Sequence, residues 1–216
     1  MQLPKESGSY VPLVRVAVYT SRRLRRSKHD ALAADLIVGL TQVRRLGRAW
    51  EDSADTVQGS LADRDAADDG LDDVGQETRL GVASTGVAAV REAPYTQIFP
   101  HGVGYYTSAP LDQEVTRYTE LKQRLEAHLS ATNPIRLDAI SRLESSIAEF
   151  TAATTEVASA ERDQAIARTE LVHAARSLRR QLEKTYGLLV SEVGKAKAER
   201  YFPKVKSKKA EETGEG

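Results

Sequence analysis

Glu170 and His173 stand three residues apart in a helix-forming stretch, so a carboxylate and an imidazole share one helix face. Bundles that hold two metal ions use two Glu-x-x-His motifs and two further glutamates. This chain carries one such motif, and the corresponding place about 98 residues earlier reads Asp72-Asp73-Val74-Gly75, without a histidine. Glu170 and His173 are therefore weak metal candidates whose expected role is a solvent-facing pair, and neither a metal nor another cofactor is expected.

The acidic run Asp65, Asp68, Asp69, Asp72, Asp73 and Glu77 gathers carboxylates that suit a hard cation. It lacks the loop spacing and the turning glycine of a calcium-binding hand, despite Asp69-Gly70. A partner within the chain competes for it. Residues 1–50 carry ten Lys or Arg against three Asp or Glu, and residues 51–95 carry three against eleven. Mutual neutralisation of the two runs is the expected outcome, with Arg22, Arg23, Arg25, Arg26, Arg44, Arg45 and Arg48 on the basic side.

The basic surface Arg22, Arg23, Arg25 and Arg26, with Lys204, Lys206, Lys208 and Lys209 near the end, also has the residue types that neutralise phosphates. Against nucleic acid stand the zero net charge and the lack of aromatic residues interleaved with the arginines. Catalytic signals are poorer. His29, His101, His128 and His173 are scattered, and His101-Gly102-Val103-Gly104 is too short for a phosphate loop and follows no strand. The absence of cysteine removes disulfides, thiol nucleophiles and cysteine-rich zinc sites, and makes the cytoplasm the expected compartment. The opening residues read as neither a signal peptide nor a membrane span, and no apolar run approaches the roughly 18 residues a span requires.

The elements that would position these residues come in two copies. Tyr19-Thr20, Arg25 and His29 recur as Tyr118-Thr119, Arg124 and His128. Arg45-Leu46 recurs as Arg142-Leu143, and Phe99-Pro100 as Phe202-Pro203. Ordered self-similarity at a nearly fixed spacing is the mark of a copied supersecondary unit. The chain is accordingly expected to be all-α, an elongated antiparallel helical bundle built from two related helical repeats of about 98 residues. The first repeat covers 1–93, a basic helix followed by an acidic one, and the second covers 111–203. A connecting loop at 94–110 and a disordered charged tail at 204–216 complete the organisation.

In the first repeat Leu32, Leu36, Leu40, Val43, Leu46 and Trp50 form an apolar stripe, and Val11 to Tyr19 is read as helix despite its β-branched residues. Glycines at 59, 70, 75, 81 and 86 weaken the acidic helix or allow close approach of a neighbour. In the second repeat Leu111, Val115, Tyr118, Leu121, Leu125 and Leu129 define one helix, which should stop near Asn133-Pro134, and Pro134 opens the next. Leu143, Phe150, Val157, Gln164, Leu171 and Leu178 then share one heptad position, but Thr154, Glu161, Gln164 and Arg168 break the seam. A reversal of the chain at about 151–155 is expected there.

The 94–110 loop holds four of the twelve aromatic residues. Tyr95, Phe99, Tyr105 and Tyr106, joined by Tyr201 and Phe202, are expected to gather at one end, where they plug the core or form a partner-binding surface. The expected function is a non-catalytic structural or adaptor-like role, in which the protein self-associates or docks a protein partner. A nucleic-acid-associated protein is the alternative, and a ferritin-like metal bundle the third.

Overall fold

The computed structural model describes residues 1–5, 8–86 and 88–204. Lys206, Lys208, Lys209 and the rest of the expected charged tail beyond Lys204 lie outside these residues. The described residues are helical and contain no strand: α1 (Tyr10–Arg26), α2 (Asp30–Ala83), α3 (Tyr95–Ile98), α4 (Gly104–Thr107), α5 (Glu114–His128), α6 (Pro134–Val193) and α7 (Lys195–Ala198), with short 3-10 turns at Ala89–Arg91 and Glu199–Tyr201. No helix among them is long and apolar enough to cross a membrane.

Local chemistry sets the helix ends. The Ser9 hydroxyl accepts the Val11 N–H at 3.2 Å, and Pro12 falls in the first turn of α1, where no backbone N–H needs a helical partner. The helix ends with Arg23, Arg25 and Arg26 in its last turn, where cations complement the negative end of the helix dipole. Lys28 then adopts a left-handed conformation, φ 62°, and the chain turns into α2. At the start of α6 the Asn133 side chain accepts the N–H groups of Ile135 and Arg136 at 2.9 and 3.2 Å, and Pro134 occupies the first helical position as expected.

The reversal expected at 151–155 does not occur. α6 runs unbroken for 60 residues, and neither Gly nor Pro interrupts it between Pro134 and Gly187. The Thr151 and Thr155 hydroxyls donate to carbonyls one turn back, so these exposed threonines satisfy their polar atoms without leaving the helix. Leu143, Phe150, Val157, Leu171 and Leu178 are all buried, whereas Thr154, Glu161 and Arg168 face solvent. The polar break in the seam is therefore a change of exposed residues along a continuous helix.

α2 runs for 54 residues through several glycines. At Gly47 an added Cβ would lie 2.5 Å from the Tyr10 hydroxyl, and at Gly75 it would lie 3.1 Å from the ring of buried Tyr118. Both positions let an aromatic ring approach the helix backbone. Gly59 and Gly70 face open space. Alanine at either is expected to raise stability by about 0.5–1 kcal/mol through helix propensity, measured as a higher thermal midpoint. A lower midpoint would show that one of them has a packing role.

The chain divides into two compact units, the first comprising residues 1–54 with the chain from 163 onward, the second residues 55–162. Each draws on both segments expected as repeats. The core of unit 1 combines Leu13, Val16 and Leu24 of α1, Leu36, Leu40 and Val43 of α2, Leu178, Leu182 and Leu189 of α6, and Phe202. The core of unit 2 combines Leu71 and Val74 of α2, Tyr118, Leu121 and Leu125 of α5, and Leu143 and Phe150 of α6 with Phe99 and Tyr106. The two aromatic-proline elements thus belong to separate cores.

α5 begins three residues later than its expected stripe. Leu111 and Val115 are exposed, and Glu114 occupies the inward position four residues before Tyr118. The 94–110 segment contains two short helical turns, α3 and α4, where an irregular loop was expected.

Candidate functional site

The C-terminal end of α1 presents Arg22, Arg23, Arg25 and Arg26, all exposed because Ser21 and Leu24 take the buried positions between them. After α6, Gly194 at φ 79° redirects the chain, a conformation that favours glycine. α7 and the following turn then bring Lys195, Lys197 and Arg200 to the surface, and the Glu199–Tyr201 turn packs against α1.

Tyr201 fixes this junction. Its ring meets His29 edge-on with centroids 5.5 Å apart, and its hydroxyl lies 3.2 Å from His29 Nε2. His29 Nδ1 lies 3.7 Å from Glu192. Phe202 is buried and packs edge-on against Tyr186 at 5.6 Å. Residues 22–30 and 192–204 together carry nine Lys or Arg against three Asp or Glu. Lys204 is exposed where the described chain ends. Of the sequence-predicted basic residues, Arg22, Arg23, Arg25, Arg26 and Lys204 thus belong to unit 1 and are exposed.

Arg22 to Arg48 belong to unit 1, whereas the acidic run belongs to unit 2. There Glu77 pairs with Arg142, and Asp65 with Arg64 at 2.7 Å. Charge patterning indicated opposite signs and could not indicate which helix segments share a unit.

The aromatic residues expected to bind a partner divide by burial. Phe99, Tyr106 and Phe202 are core residues, while Tyr95, Tyr105 and Tyr201 are half-buried. In unit 2 the Tyr106 hydroxyl donates to the Ile98 carbonyl at 3.0 Å, and burial pushes its pKa up to about 12. Tyr105 donates to Glu120 at 3.0 Å, and the Arg117 guanidinium lies 4.5 Å from its ring centre. The rings brace α3 and α4 against α5.

Glu170 and His173 are both exposed, and among the described residues no three His, Asp or Glu side chains are placed to hold a metal ion. Sequence reasoning reads Glu114 as a first-turn carboxylate favoured by the helix dipole and misses its burial. It is 2% exposed, and its Oε2 has no hydrogen-bond partner among the described residues. Burial, then the nearby Asp68 and Asp72 carboxylates, push its pKa up to about 7 against an opposing contribution from Arg117. Asp72 accepts from the Tyr118 hydroxyl at 2.7 Å, and Asp68 Oδ1 is buried without a hydrogen-bond partner. The signal was present in the spacing: 114, 118, 121 and 125 form one helical stripe.

No protein-family model, curated protein or solved structure matches the chain.

Proposed function

We propose that the protein is a non-catalytic helical adaptor that docks an acidic protein partner on the basic end of unit 1. The observation that carries this reading is the excess of cations, nine against three acids, over residues 22–30 and 192–204, where the Glu199–Tyr201 turn packs on α1. Exposed guanidinium groups on a helix held by a packed core form a rigid surface for carboxylates, and such charge complementarity governs encounter rate and partner choice. Two related antiparallel repeats belong to the same reading. Its support is that α1 shares a core with Phe202, from the end of the second repeat, whereas α5 shares one with Phe99, from the end of the first.

Nucleic acid on the same surface is the second reading, favoured by one feature. Tyr19 is 42% exposed and lies between Arg15, Arg22 and Arg26 at helical spacing, which places an aromatic ring among phosphate-binding side chains. Fluorescence anisotropy with a labelled glutamate-rich peptide and with a labelled DNA duplex separates the two. The peptide is expected to bind, to weaken with added salt, and to lose at least tenfold in affinity when Arg22, Arg23, Arg25 and Arg26 are changed to glutamate. Binding of the duplex without the peptide would replace the first reading with the second. Light scattering over a concentration series tests whether the adaptor also self-associates: a mass that rises above the 23.7 kDa of one chain in discrete steps shows that it does.

A further inference from the structure

A groove of about 760 Å³ opens within unit 1, between the start of α1, the segment of α2 around Trp50, and one face of α6. Its floor is apolar, formed by Leu13, Trp50, Leu171 and Ala175. Its rim is cationic, with Lys5, Arg168, Arg176 and Arg179 against one acid among the described residues, Glu51. That acid already accepts a hydrogen bond from Tyr10 at 2.9 Å, and Arg179 donates to the Pro4 carbonyl. Lys5 and Arg168 are exposed to solvent.

Pockets for small molecules fall at roughly 300–1,000 Å³ and combine apolar walls with a few polar groups that fix orientation. Among the described residues the cations of this rim outnumber its acid four to one, and that acid is engaged by Tyr10. An uncharged apolar guest would leave the rim unused, and a cationic amphiphile would be repelled by it. A guanidinium matches the two oxygens of a carboxylate, while the floor shelters a hydrocarbon chain from water. We infer that this groove binds an amphipathic anion of the fatty-acid type, with its alkyl chain along Trp50 and Leu171 and its carboxylate at the Arg168 and Lys5 rim.

Trp50 is the only tryptophan, so its emission reports on the groove without a label. Laurate, titrated below its micelle concentration, is expected to shift that emission saturably. Dodecyltrimethylammonium, with the same chain length and the opposite charge, is expected not to. Arg168→Glu should weaken laurate binding at least tenfold, and because Arg168 is exposed the variant should keep the wild-type melting curve. Ala175→Phe, which fills the floor, should abolish binding in calorimetry while leaving the helical circular dichroism intact. A saturable response to both amphiphiles, a response to dodecyl phosphate without one to laurate, no saturable response at all, or unchanged laurate affinity in Arg168→Glu would each overturn the assignment.

Discussion

Replacing Glu114 with glutamine is expected to stabilise the protein at pH 8 by about 2–3 kcal/mol and to change little near pH 4. The folded carboxyl has its pKa raised from 4.5 to about 7, chiefly by burial and then by Asp68 and Asp72. Below pH 4.5 it is protonated in both the folded and unfolded states and costs nothing. As pH rises toward 7 the unfolded chain releases the proton first, so stability falls across this window and the full cost remains above it. Asp68 and Asp72 are also raised, both chiefly by burial, and so act in the same direction. Glu120 acts oppositely: hydrogen bonds from Arg124 hold its pKa low, and its contribution is lost in acid. Glutamine keeps the shape of Glu114 without the ionisation. Denaturant unfolding of both proteins between pH 4 and pH 8.5 measures the difference, and a difference that does not vary with pH would sink the assignment of the strained proton to Glu114.

Phe99→Ala and Phe202→Ala are each expected to cost about 3–5 kcal/mol, the range for removing a buried ring that its surroundings cannot replace. Phe99 is 3% exposed and packs between Tyr95 and Tyr106, at 5.4 and 5.8 Å. Phe202 is 4% exposed and closes the core of unit 1 against Tyr186. The two losses should differ in location. Hydrogen exchange should rise mainly in α3 to α5 for the first variant, and in α1 and α7 for the second. A variant that changes the assembly mass while keeping wild-type unfolding would instead return that ring to partner contact.

Much of the helical layout was legible because periodicity and capping are local. The stripe Leu36, Leu40, Val43 and Leu46 is buried as expected, and Asn133-Pro134 opens α6. The continuity of α6 was legible too, since no glycine or proline occurs between Pro134 and Gly187, but the polar residues Thr154, Glu161, Gln164 and Arg168 broke the heptad seam and suggested a reversal. Two facts depended on tertiary arrangement. Charge runs adjacent in sequence separate into different units, and a glutamate takes a core position that Val115 was expected to share. The basic residues of the candidate site were identified from composition. Their place in one unit rests on contacts such as that of Tyr201 with His29, across 172 residues of chain.

The division into units also sets an order of events during synthesis. Unit 2 is a contiguous stretch, so every residue of its core has left the ribosome soon after Arg162 is added. Unit 1 is discontinuous: Leu46 waits for Leu171 and, later, Phe202. At about 5–20 residues per second, the roughly 125 residues between Leu46 and Leu171 take on the order of 6–25 s. Throughout that interval the nascent α1 and its half of α2 carry an uncovered apolar stripe beside their arginines. The basic segment thus emerges well before the residues that complete its core.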